Sequence, residues 1–116
     1  MTDREMLELA ARAAGIVVTD DMRELWLHAR SSAWNPLTDD GDALRLAVQL
    51  MIRVSVNRAF PLGIPGSVTA EYPDRDCFYF ALGEAVTNGD PYAATRRAIT
   101  RAAAEIGRQM EETSND

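Results

Sequence analysis

Trp34-Asn35-Pro36-Leu37-Thr38-Asp39-Asp40-Gly41-Asp42-Ala43-Leu44-Arg45-Leu46-Ala47 is the densest local signal in the chain. Pro36 pushes the preceding Asn35 out of helical geometry. Thr38 or Asp39 then offers a side-chain oxygen to the N–H groups orphaned at a helix start. Asp39, Asp40 and Asp42 set negative charge at the positive end of the helix dipole. The spacing predicts a helix from about Asp39 to Leu50. Its polar positions Asp42, Arg45 and Gln49 form one narrow line, while Ala43, Leu44, Leu46, Ala47, Val48, Leu50 and Met51 cover the rest. A helix this apolar is expected to be buried on more than one side, at the centre of the core.

Downstream, Ile52-Arg53-Val54-Ser55-Val56-Asn57 alternates and predicts a half-buried strand with Ile52, Val54 and Val56 inward. Ala59 to Gly66 reads as a loop rich in Pro and Gly. Ser67 to Tyr72 alternates again, Pro73 to Asp76 is a turn, and Cys77 to Leu82 predicts a third strand with Phe78, Phe80 and Leu82 on one side. The three strands make an antiparallel meander. Asp90-Pro91 opens a last helix, proline at its favoured first position. That helix runs to about Glu111, with Tyr92, Thr95, Ile99, Ala102, Ala103, Ile106 and Met110 on one face and Arg96, Arg97, Arg101 and Arg108 elsewhere.

Upstream, Thr2-Asp3-Arg4-Glu5 is a capping box, and Gly15 is a left-handed stop, so a first helix spans about 3–14. Residues 16–35 fit more than one reading. Ile16-Val17-Val18 suits a short strand, Thr19-Asp20-Asp21 a turn or cap, and Arg23 to Ala29 either a helical turn or a strand. The reading adopted is irregular structure with a short extended piece.

The 116 residues, 47% of them apolar, suit one domain over 1–116. No apolar run approaches the ~20 residues that span a bilayer, and the N-terminus lacks a basic-then-apolar leader pattern. A cytoplasmic protein is expected, in the host cell if a phage encodes it, with no membrane partner. The net charge of −6 argues against broad nucleic-acid binding. All basic residues are Arg, which with the abundant Ala reflects coding composition as readily as chemistry.

The Trp34 to Leu44 stretch resembles a signature of small proteins of tailed phages and prophages, in which an aromatic-Asn-Pro box precedes an Asp-Ala helix. Their terminal helix opens with Asn-Pro or Asp-Pro, as Asp90-Pro91 does here. The likeness covers most of 34–106 and is to the largely uncharacterised phage "ABA sandwich" group. It implies a phage or prophage origin and helices on either side of a small sheet. It implies no activity. Met51 stands where many such proteins carry Gly or Asn.

Each chemical signal has a structural counterpart. Asp39, Asp40 and Asp42 lack the alternation and distal Glu of a calcium loop, so capping accounts for them and no metal or cofactor is expected. Trp34 and Asn35 either line a ligand cleft or pack on the helix they precede, the packing reading being preferred. His28, the only histidine, has no nucleophile at suitable spacing among Ser31, Ser32 and Cys77. Arg97 and Arg101, four apart, either grip phosphates or form a solvated face with Glu partners. Phe60, Leu62 and Ile64 either fold back over the sheet or adhere to a partner chain.

The fold expected is α+β, three helices covering a small three-stranded antiparallel sheet. The function expected is a non-enzymatic phage or prophage accessory protein that binds and blocks a host protein. It is also expected to form a homodimer through Phe60, Leu62 and Ile64. A small-molecule or nucleotide binder using Trp34, Asn35, Arg97 and Arg101 is the alternative, and a hydrolase the remaining one.

Overall fold

Local capping explains where each element of the computed structural model starts. The structure describes residues 1–28, 33–59, 64–73 and 79–114. Helix α1 (Asp3–Ala14) carries the capping box: Thr2 Oγ1 accepts from Glu5 N, and the Glu5 carboxylate accepts from Thr2 N. Gly15, at φ 74°, ends it. Helix α2 (Asp20–Leu27) starts where Thr19 Oγ1 accepts from Met22 N at 3.2 Å. Helix α3 (Asp40–Leu50) is capped by Asp39, which accepts from Asp42 N at 2.8 Å. Thr38 caps nothing; its hydroxyl donates to Asn35 O at 3.5 Å. Strands β1 (Arg53–Ala59), β2 (Ile64–Pro73) and β3 (Tyr79–Ala85) follow, then helix α4 (Pro91–Ser114). Asp90 Oδ1 accepts from Ala93 N at its start.

The sheet is an antiparallel meander in the order β1-β2-β3. Val68, Ala70 and Tyr72 of β2 are buried, and their cross-strand partners Val56, Val54, Leu82 and Phe80 share that face. α4 lies across it, through Ala94, Ala98 and Ala102. α1 and α3 pack on the far side of α4, and α2 is tied to α1 by Arg23 to Glu8 at 3.0 Å. Small side chains set these distances. Ala10 and Ala11 of α1 meet Ala103, Ala104 and Gly107 of α4, all buried. A Cβ at Gly107 would lie 2.8 Å from the Leu9 carbonyl carbon.

The class and the sheet agree with the sequence reading; four points differ. There are four helices among the described residues, because Thr19 caps a helix where irregular structure was expected, and Trp26 anchors it with its indole N–H on Trp34 O at 2.9 Å. The helix at the core's centre is α4, whose Ala98, Thr100, Ala102 and Ala103 are fully buried, whereas α3 leaves Leu44, Val48 and Met51 exposed. Helices cover one face of the sheet instead of both. The other face carries Arg53, Ser55, Asn57, Thr69 and Glu71 of β1 and β2 and Tyr79, Ala81, Gly83 and Ala85 of β3, none of them buried. The expected loop over 59–66 is shorter. Ala59 pairs with Ile64 and Arg58 with Pro65, leaving Gly66 as the bulged residue, where a Cβ would sit 2.8 Å from that of Ala59. Phe60 and Leu62 of the proposed adhesive loop lie outside the described residues, as do Ser31, Ser32, Cys77 and Phe78.

Candidate functional site

The aromatic-Asn-Pro box is held from several directions. Asn35 is buried. Its N–H donates to Asp42 Oδ2 at 2.9 Å, its Oδ1 accepts from Leu37 N, and its carbonyl accepts from Asp39 N. Trp34 is half-buried against the core, its ring 6.5 Å from that of Trp26. These bonds engage the backbone and the Oδ1 of Asn35, and they tie the 33–39 segment to the start of α3. His28 is exposed at the end of α2, with Nε2 3.4 Å from Glu24.

The arginines of α4 are engaged by carboxylates of this chain. Arg96 reaches Asp40 at 2.7 Å and Leu37 O at 2.9 Å. Arg97 pairs with Asp3 and Glu84, and Arg101 with Glu84 at 2.5 Å. Arg108 lies between Glu105 and Glu112, and its hydrogen bond to Glu105 raises its pKa. Arg97 and Arg101 do share one small cleft, of about 270 Å³, with Met1, Met6 and Leu82. A phosphate there would have to displace Glu84 from two guanidiniums. A larger surface cleft of about 520 Å³, between α1, α2 and the end of α4, is walled by Glu5, Glu8, Arg12, Arg23 and Glu111. Its charges also pair off, Arg23 with Glu8 and Arg12 with Glu111. The hydrogen bond that Arg23 donates to Glu8 raises the Arg23 pKa.

The surface with unspent apolar area lies elsewhere. α1 stands on the β3 side of α4, since Arg97 bridges Asp3 and Glu84. α3 stands on the other side, joined by Arg96 to Asp40. The polar flank of α3 turns toward α1, where Gln49 donates to Ala14 O at 2.8 Å. Leu44 and Val48, four apart, and the C-cap Met51 lie off the buried Ala43–Leu46–Ala47 face of α3. Leu44 and Tyr92 line an open cleft of about 370 Å³ with Thr95 and Ile99 of α4. Below it, β1 turns Val54 and Val56 to the helix side of the sheet, yet α4 covers mainly β2 and β3. Exposure is 64% for Leu44, 71% for Val48, 73% for Met51, 68% for Tyr92 and 54% for Val56. Leu44 and Tyr92 thus open on one cleft, while Val48, Met51, Val54 and Val56 are further exposed apolar side chains on α3, its C-cap and β1.

The sequence reading had placed Leu44, Val48, Val54, Val56 and Tyr92 in the core. A helix apolar over most of its circumference reads the same whether two partners cover it or one. Of the residues proposed for binding, Arg97 and Arg101 are brought together on Glu84. Trp34 and Asn35 join the α3 start, and Ile64 enters β2 opposite Ala59. No grouping of His, Cys, Asp and Glu suited to a metal ion occurs among the described residues, and no described helix is long and apolar enough to cross a membrane.

No family model, no curated protein and no solved structure matches this chain.

Proposed function

We propose that this protein is a non-enzymatic accessory protein of a phage or prophage that acts by binding another protein chain, with blocking of a host protein as the outcome. The observation that carries the reading is the set of exposed apolar side chains Leu44, Val48, Met51, Tyr92, Val54 and Val56, which we take together as one trough along α3, α4 and β1. Covering such side chains contributes about 25 cal/mol for each Å² removed from water. The likeness of the Trp34 to Leu44 box to small phage proteins supports the origin. The engaged state of Asn35, Arg97 and Arg101 favours the binding module over the nucleotide binder.

The test is affinity capture from bacterial lysate with the wild type and with Leu44→Ser/Val48→Ser. Both substitutions fall on exposed positions, so the fold is retained. A protein held by the wild type, released by the double substitution and rebound when purified supports the reading. Equal capture by both forms, or none by either, counts against it.

A further inference from the structure

We infer that the chain seated in the trough is a second copy of this one, joined by antiparallel pairing of β1 with β1 across a two-fold axis at Ser55. The inference rests on the proposed association surface: the second copy covers the trough in the free protein, and a host protein binds there by displacing it. Among the described residues β1 pairs only with β2, so its outer edge is open. Open edges recruit further strands unless something guards them. β3, the other edge, has such a guard: Glu84 on its helix side is fixed by Arg97 and Arg101. On β1 the middle of that side is apolar, Val54 and Val56, and its one charge there, Arg58, stands near the strand's end, opposite Ile52 of the partner in the register below.

The register follows from the residues. With Ser55 opposite Ser55 of the partner, Val54 of each protomer faces Val56 of the other, on the helix side. Arg53 faces Asn57 on the open side, so like charges are kept apart. Opposed β-branched pairs of this kind stabilise a sheet, and opposed like charges destabilise it. The axis stands perpendicular to the sheet, so both helical layers lie on the same side of a six-stranded sheet. The free flanks of α3, with Leu44, Val48 and Met51, then approach each other across the axis. Two-fold pairing is the commonest closed arrangement of identical chains.

Sedimentation velocity of the purified full chain, from about 1 to about 200 µM, should show a monomer–dimer equilibrium in the range of ordinary protein affinities. Val54→Lys/Val56→Lys should raise the dissociation constant at least about tenfold, and so should Val48→Lys, which reaches the interface from the helix and leaves the sheet untouched. The register is read by cross-linking in a Cys77→Ser background. Ser55→Cys should form a disulfide-linked dimer under mild oxidation, since directly opposed Cα atoms lie about 4.5–5.5 Å apart. Arg53→Cys should not, because its two copies would stand about 13 Å apart along the strands. A wild type that stays monomeric throughout overturns the inference. So does a dimer that Val48→Lys leaves intact, or one cross-linked as well by Arg53→Cys as by Ser55→Cys. A monomeric wild type that still captures a protein through Leu44 and Val48 sinks the homodimer and leaves the proposed function standing.

Discussion

Replacing Gly107 by Ala is expected to destabilise the protein, although alanine is the better helix former. In an exposed helix interior the exchange would stabilise by about 1 kcal/mol. At Gly107 the new Cβ would sit 2.8 Å from the Leu9 carbonyl carbon, and closer still to its oxygen, where ordinary contact begins at 3.4 Å. The obstacle is backbone inside α1, so no side-chain rotation relieves it. The two helices must separate by on the order of 1 Å, and a gap of that size forfeits a quarter to a half of each dispersion contact it opens. The contacts at stake are those of Ala10, Ala11, Ala103 and Ala104, none more than 1% exposed. Overpacking of this kind costs typically 1–3 kcal/mol, and more where backbone must move. After the propensity gain, a net loss of about 2 kcal/mol is expected, a Tm decrease of about 5–10 °C for a chain of this size. Urea unfolding followed by circular dichroism measures it. Gly41→Ala is the control: there a Cβ meets side-chain atoms and no neighbouring backbone, the Arg45 guanidinium and the capping Asp39 Oδ2, each at 3.2 Å, so the change should cost clearly less. Equal stability of the two variants would refute the close approach of α1 and α4.

Three further outcomes follow from the same structure. Asp39→Ala should cost about 1 kcal/mol of stability through the lost cap, and Thr38→Ala clearly less, given its 3.5 Å contact; thermal melts with and without magnesium or calcium should show the same difference. Leu46→Ala should cost about 2–4 kcal/mol by leaving a cavity, whereas Val48→Ala and Arg45→Ala, both at exposed positions, should each stay within about 0.5 kcal/mol, as denaturant titration of dilute protein would show. Met51→Gly should raise stability by about 1 kcal/mol in the same assay, because Met51 is held at φ 57° and a side chain in the left-handed region is strained; a loss would mean that the Met51 side chain contributes more than its exposure implies.

Capping and alternation are short-range, so they were legible in the chain. Thr2 with Glu5, Gly15, Asp39 and Asp90 reach partners within a few residues, and each marked its helix end without knowledge of the rest. The same was true of Val68, Ala70 and Tyr72, whose alternation announced the buried face of β2. Thr19 carried the same kind of signal. It was read as a turn or cap, but not as the start of a helix, because the eight-residue helix it opens shows too little periodicity to outweigh the β-branched run before it. The sequence by itself thus determined the α+β class, the meander and most element boundaries. Which apolar residues are covered is a long-range matter, and only the tertiary structure decided it. α4 became the central helix because its run of alanines and Gly107 lets α1, α3 and the sheet approach together. α3, more apolar on paper, met neighbours on one side alone and kept Leu44, Val48 and Met51 in the open. Glu84, one carboxylate in the sequence, became the joint partner of Arg97 and Arg101 through the packing of β3 on α4. Hydrophobic burial depends on area removed from water, whatever removes it, and a side chain's own chemistry does not specify which neighbour will do so.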